Sequence, residues 1–426
     1  MARAAGRFDA YAAVLGDAPA RTFSLTGFVA RLPQSMTGIG IVLLVSLTSG
    51  SFGRAGVVAA AVTVAGAVAA PLWGRVMDRA GQARVLAGTA LGYAAGVLVV
   101  VASVARGWPF AATVGGALLA GLCFTPTGSS VRARWSHRLR DSPLLDTAFA
   151  LEAVIDELTF VVGPVLVTFL ATSVDPAAGL VVCAVLGVLG SLLLALQRST
   201  EPPRRPRLHR ADRTSRLPLR LLVMVVVASW ACGGVFGSME VVVVAFARER
   251  DVLGWSGVLL MCWAAGSMLA GLVAGLVAWR RPPLSRYRIG ALVLAVSLLP
   301  MPFVGPPWLL AVLLTVSGFA IAPTLIAAVS VVQTSVPAVR LTEALGWSGT
   351  GMSAGVATGA ALGGASVDGM ASMGGFFLVA AFGLLLVVGV LLIRTPTSAG
   401  GAPVLPVVPV VPEAPGAPDA LGQPAR

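Results

Sequence analysis

Gly121-Leu-Cys-Phe-Thr-Pro126-Thr127 and Gly318-Phe-Ala-Ile-Ala-Pro323-Thr324 lie 197 residues apart and share one Gly-x-x-x-x-Pro-Thr pattern. Each falls inside an apolar run, at about 108–131 and 308–332, and the same shift superposes the neighbouring runs. It also carries Gly74 onto Gly271 and Asp146 onto Glu343. With 50 glycines in the chain a lone glycine match means little, but a shared Pro-Thr at the same point of two corresponding runs indicates an internal duplication.

Outward from this pair, apolar runs fall at about 22–46, 54–77, 84–105, 146–171 and 177–197 in the first half. In the second they fall at about 219–246, 254–279, 287–304, 343–366 and 372–393. With the two runs above, that predicts twelve spans, each near the ~20 residues a helix needs to cross the hydrocarbon layer. Gly and Pro recur within them, which membrane helices tolerate because neighbours re-satisfy the freed backbone groups. Gly359 with Gly363 and Gly271 with Gly275 have the small-xxx-small spacing of closely packed helices.

Composition agrees. Hydrophobic residues make up 57% of 426 positions and charged residues 11%, with a mean hydropathy of +0.90, too little polar surface for a soluble domain. The net charge of +12 raises nucleic acid as a partner, but every basic residue is Arg and these cluster in short segments between runs. No segment is long enough to form a basic folded face, so nucleic acid is excluded. Cys123, Cys183, Cys232 and Cys262 sit inside apolar runs without metal-ligand spacing and read as packing residues. Asp9 and Asp17 interrupt the start of the chain, so no cleaved signal is expected.

The arginines orient the chain. With both termini inside, 25 of the 30 fall in inner segments and only Arg54, Arg106, Arg248 and Arg250 in outer loops, while Arg31 lies within the first span. Positively charged loops remain cytoplasmic. The expected plan is an all-α membrane protein of twelve transmembrane helices in two six-helix bundles, with cytoplasmic N and C termini in the plasma membrane. Residues 1–21 form an inner N-terminal segment, 22–197 and 219–393 the bundles, and 198–218 an Arg-rich linker. The tail 394–426 carries a proline at every third position from Pro403 to Pro418, which suits extended polyproline II and disorder. The linker's arginines could meet anionic lipid headgroups, but a plain solvated inner linker that fixes topology is the favoured reading. Two parallel sixes joined by such a linker are the plan of a secondary transporter.

The loop after the second run reads Pro71-Leu-Trp-Gly74-Arg75-Val-Met-Asp78-Arg79-Ala-Gly81-Gln-Ala-Arg84. It resembles the Gly-x-x-x-Asp-Arg-x-Gly-x-x-Arg signature of the major facilitator superfamily, in the expected loop of a chain with the expected helix count. The resemblance implies that Asp78 pairs with Arg132 or Arg134 at the base of the fourth span. It also implies that Asp78 faces the positive N-terminal end of the eleventh span near Thr342. Such a contact would latch an inner gate built on Gly74, Asp78, Arg79, Gly81 and Arg84. In the second half the motif has decayed: Asp78 maps to Gly275, and the loop becomes Arg280-Arg-Pro-Pro-Leu-Ser-Arg-Tyr-Arg288. Gly163-Pro164 resembles the core of the motif in drug/proton antiporters of this superfamily. The glycines flanking that pair in the motif are missing here, as is an arginine within the fourth span. The resemblance points to efflux, with import as the alternative.

Leu151-Glu152-Ala-Val-Ile-Asp156-Glu157 places acids two to three turns into the fifth span. Glu152, Asp156 and Gly163 share one face, and Glu157 is rotated about 100° from Asp156. A charge at this depth costs roughly 2.5–3.5 kcal/mol unless it is paired, protonated or wet. Arg31 lies at comparable depth, with Glu152 as its favoured partner. One arginine against three acids leaves a proton to be held, so Asp156, Glu157, Glu152 and Arg31 are candidates for proton coupling, with Glu240 the next. A fixed strut is the competing reading. The second half otherwise holds almost no buried charge, and Trp230, Phe236, Met239, Trp263, Phe319 and Trp347 are candidates to line a substrate site.

No enzyme is expected: His137 and His209 lie in inner loops and no residues have metal or nucleophile–base spacing, so neither metal nor cofactor is implied. No selectivity segment suggests a channel. The expected partners are an amphipathic or hydrophobic small molecule, protons and the lipid bilayer, the chain acting as a monomer. A non-transporting sensor on the same scaffold is the alternative class.

Overall fold

The computed structural model describes residues 12–393, apart from 141, 143, 204–218, 275–280 and 338–339. Most of the linker, Gly275, Arg280, the side chain of Thr342 and the proline-rich tail therefore lie outside the described residues. Within them every long regular element is a helix: α1 (Ala18–Ser49), α2 (Phe52–Ala80), α3 (Gln82–Ala105), α4 (Phe110–Leu122), α5 (Thr127–Arg138), α6 (Leu145–Ser173), α7 (Ala178–Leu196), α8 (Leu219–Glu249), α9 (Ser256–Ala274), α10 (Pro283–Leu298), α11 (Pro307–Ser335) and α12 (Leu341–Leu392).

Three of the twelve spans do not map one-to-one onto these helices, at two places that each have a local cause. The fourth span is α4 and α5, interrupted between Leu122 and Thr127. Pro126 has no amide hydrogen to give to the carbonyl of Leu122, and its ring would crowd that carbonyl. The indole of Trp73 fills the vacancy by donating to Leu122 O at 2.6 Å. The matching Pro323 lies inside an unbroken α11, so the duplicated motif folds differently in the two halves. At the other exception, α12 runs 52 residues, roughly twice what a membrane requires. It is two spans, divided where Met370 (φ −137°, ψ 26°) and Ala371 (φ 55°, ψ −166°) leave helical geometry. The Glu249 carboxylate takes the Ser372 amide at 2.6 Å and the Ser372 hydroxyl, capping the last span as it begins.

Each half packs on its own glycines. Along the first part of α12, Gly351, Gly355, Gly359 and Gly363 recur every fourth residue and lie over Val226, Trp230, Gly234 and Ser238 of α8, spaced likewise. A methyl group at Gly355 would sit 1.9 Å from the Trp230 carbonyl oxygen, and one at Gly359 2.3 Å from that of Gly234. The two backbones touch with nothing between them, as small-residue stripes permit in a membrane.

Across the halves, α2 meets α12 and α6 meets α9. These two contacts exchange under the 197-residue shift, so the interface keeps the symmetry of the duplication. Both are tight at the end away from the arginine clusters. Gly56 lies against the Ala360 carbonyl, Gly364 against that of Phe52, and Gly257 against that of Pro164. Arg248 donates to Ser46 O at 2.9 Å across the same region. At the arginine-rich end Leu72, Val76 and Trp347 are exposed, and Gly74, Gly346 and Gly349 have open space beside them. The halves are closed at one end and parted at the other.

Candidate functional site

Between the halves lies a cavity of ≈ 540 Å³, walled by the first, second, fourth and fifth spans from one side and the seventh, eighth, tenth and eleventh from the other. Phe124, Phe160, Phe236, Leu260, Trp263, Ile321, Leu325 and Met352 supply apolar wall. Gln34, Thr63, Ser267 and Ser353 supply neutral polar groups, and Glu157 and Glu240 carboxyls. Those neutral polar groups were not singled out by the sequence, because a single Ser or Thr in an apolar run is commonplace and its spacing carries no signal.

The helical period explains which predicted aromatics reach the wall. Phe236 and Glu240 are four apart on α8 and share the cavity face with each other; Met239, one position from Glu240, turns about 100° away and is fully buried in the core. On α11, Ile321 and Leu325 face inward, whereas Phe319 points to the opposite side and is 44% exposed on the outer surface. Trp230 donates its indole N–H to Thr358 Oγ1 at 3.3 Å and packs edge-on against Phe382 at 5.4 Å. Trp347 is exposed at the parted end. Of the six candidates Phe236 and Trp263 line the cavity, their rings 4.9 Å apart; Trp230, Met239, Phe319 and Trp347 do not.

The acids of the fifth span separate into two environments. Arg31, almost wholly buried in α1, donates through one guanidinium nitrogen to Glu152 Oε2 at 2.5 Å and through another to Asp156 Oδ1 at 2.7 Å. Glu152, with no exposed surface, also accepts from Ser24 Oγ at 2.8 Å and Trp135 Nε1 at 2.9 Å. The second Asp156 oxygen pairs with Arg132. The network is therefore two arginines against two acids and is neutral by itself, because Arg132 contributes a charge that the sequence assigned to the gate. Glu157, one residue on, points into the cavity instead, and Glu240 reaches the same space from the other half, where a methyl group on Gly38 of α1 would lie 2.8 Å from its carboxylate. Neither Glu157 nor Glu240 has an ion-pair partner among the described residues.

The loop motif is placed differently from its expectation. Arg134 is fully buried and donates to Gln82 Oε1 at 3.0 Å, Thr200 Oγ1 at 2.8 Å, and the carbonyls of Gln197 and Leu194 at 3.0 Å each. With Arg134 spent on these and Arg132 on Asp156, Asp78 pairs with neither. It lines a separate ≈ 440 Å³ hollow with Gly74, His137 and Arg140. Gly81 ends α2 at φ 90° and begins α3, a backbone conformation that residues with a side chain rarely adopt. Arg79 closes the last turn of α2 and Arg84 lies in the first turn of α3.

Gly163 and Pro164 form a three-helix junction. A methyl at Gly163 would lie 1.9 Å from Ser35 Oγ of α1, and Gly257 of α9 presses on the Pro164 carbonyl. Ser35 in turn donates to Thr159 O at 2.7 Å. This is where α6 touches both halves at once, beside the cavity wall.

Comparison with known proteins agrees with this architecture. The structure of nucleoside transporter NupG superposes with a TM-score of 0.69 at 14% identity, covering 88% of this chain and 99% of that one. A mutant form of NupG gives 0.71 over the same shares at the same identity. The human organic anion transporter MFSD10 (TETRAN) gives 0.59 at 16% identity, covering 88% of this chain and 100% of that one. No curated protein sequence matches the chain. At these identities the likeness is one of fold, but the Major Facilitator Superfamily model matches residues 23–307, more than half of the sequence. On that match, and with twelve spans in two symmetric halves around one cavity, the chain belongs to the major facilitator superfamily.

Proposed function

We propose that the protein is a proton-coupled secondary transporter that exports an amphipathic or hydrophobic small organic molecule by alternating access. The observation that carries this reading is the placement of Glu157 and Glu240, two carboxyls from opposite halves facing one cavity, with no arginine among the described residues that line it. Protonated, both are neutral, and the cavity suits an apolar body. Ionised, they draw the halves' shared space toward water and toward donor groups on a ligand. The aromatic wall of Phe124, Phe160, Phe236 and Trp263 supports the apolar part.

A second reading, import of a small organic solute, is favoured by the neutral polar groups Gln34, Thr63, Ser267 and Ser353 on the same wall. In both readings the termini and the arginine-rich end face the cytoplasm, in accord with the arginine asymmetry, and the protein is taken to work as a monomer in the plasma membrane.

The test is uptake into sealed proteoliposomes under an imposed pH gradient, run across a panel of hydrophobic cations, neutral drugs and nucleosides. Accumulation that follows the gradient and collapses with a protonophore supports proton coupling, and its direction separates export from import. A protein that binds members of the panel yet moves none of them down a gradient is a sensor, and the transport reading fails.

A further inference from the structure

The second half of the chain carries another groove, with two arginines in its lining, on the face of α11 opposite the one that lines the cavity between the halves. It lies on the outer surface between α10 and α11, has a volume of ≈ 360 Å³, and is reached from the arginine-rich end. Its walls are Ile289, Val293, Phe319 and Ile326, all between 43% and 50% exposed, as lipid-facing residues are. Gly290 forms part of its floor because a side chain there would meet Thr324 Oγ1 at 2.4 Å. At the mouth stand Arg281, just before α10, and Arg286, in its first turn.

We infer that this groove is a binding site for an anionic phospholipid. The acyl chain lies along the four apolar walls and the phosphate sits between Arg281 and Arg286. Three points support it. The groove is at membrane depth, so an acyl chain is its natural occupant. Its arginines begin where the helix begins, at the level of the headgroups, and basic pockets between membrane helices select anionic lipids. The acid that accompanies the arginines of the first-half loop, Asp78, is replaced by Gly275 at the matching position here, so the second-half loop has arginines and no carboxylate of its own. The decay of the motif is thus a gain of net positive charge at one lipid-facing groove.

The experiment measures thermal unfolding of the purified protein in phosphatidylcholine nanodiscs with and without phosphatidylglycerol, alongside soluble glycerol phosphate. The inference expects phosphatidylglycerol to raise the midpoint by on the order of 5 °C, and glycerol phosphate to do nothing. The double variant Arg281→Gln/Arg286→Gln should lose that rise. Arg21→Gln/Arg198→Gln, which removes the same charge elsewhere at that end, should keep it. Ile326→Trp, which fills the groove and leaves every arginine, should also lose it. The inference is overturned if the groove variants retain the rise, if the Arg21/Arg198 control loses it equally, or if free glycerol phosphate reproduces it.

Discussion

Asp368 of α12 accepts a hydrogen bond from Ser51 Oγ at 2.7 Å, so the last turn of the eleventh span caps the start of the second span across the boundary between halves. The same carboxylate takes the amides of Phe52 at 2.8 Å and Gly53 at 2.9 Å. It satisfies amides that the first turn of α2 leaves without helical partners, at the positive end of that helix. Because the two groups belong to different halves, the contact exists only while this end is closed.

Asp368→Ala should therefore favour opening at this end. The site is solvent-exposed, so the loss is about 1 kcal/mol, roughly a fivefold change in the open population. The check is alkylation of Ser267→Cys in the cavity, in a background without the four native cysteines, by reagent applied from the Asp368 end. Unchanged labelling would mean that the glycine contacts alone hold this end shut.

Glu152→Gln removes the charge that faces buried Arg31, and should destabilise the protein by on the order of 3 kcal/mol, read as a lower unfolding temperature. Arg31→Met combined with Glu152→Met should recover most of that loss, since paired removal leaves no orphan charge. Asp156→Asn, which touches both Arg31 and Arg132, should resemble Glu152→Gln in lowering stability and transport together.

Glu157→Gln and Glu240→Gln should behave otherwise. Neither strands an arginine, so unfolding temperature should move little, while accumulation driven by a pH gradient is lost and downhill exchange persists. If both variants still concentrate substrate, the proton is carried elsewhere.

The glycine stripe gives an internal comparison. Gly355→Ala places a methyl group 1.9 Å from a backbone carbonyl that has no rotamer to escape into, and should cost about 1–3 kcal/mol. Gly349→Ala, in the same helix with open space beside it, should stay within about 0.5 kcal/mol of the parent. Equal effects would argue against backbone contact between α8 and α12.

Orientation is checked by thiol labelling in intact cells. Trp108→Cys and Gly305→Cys, at the end away from the arginine clusters, should react with an impermeant reagent, and His137→Cys should not. Ser256 is unsuited to this purpose despite its place at a loop, being fully buried and within 3.5 Å of Thr168 Oγ1.

The spans were legible in the sequence because they depend on composition and periodicity, which bilayer thickness imposes on any chain that crosses it. The duplication showed in the repeated Gly-x-x-x-x-Pro-Thr pattern, and the family in the resemblance of the Gly74–Arg84 loop to a known signature. The acids of the fifth span were equally visible, since a charge in a lipid-length run is costly wherever it points. What only the tertiary structure decided was direction and partnership. Sequence spacing assigns Met239 and Phe236 to one helix but not to core or cavity, and it cannot say that Arg132 leaves Asp78 for Asp156. Those outcomes depend on how neighbouring helices rotate about their axes, which is set by backbone contacts such as Gly355 against Trp230 and Gly257 against Pro164. A rotation of one residue, about 100°, exchanges a buried residue for a lining one, and no local pattern in this chain fixes it.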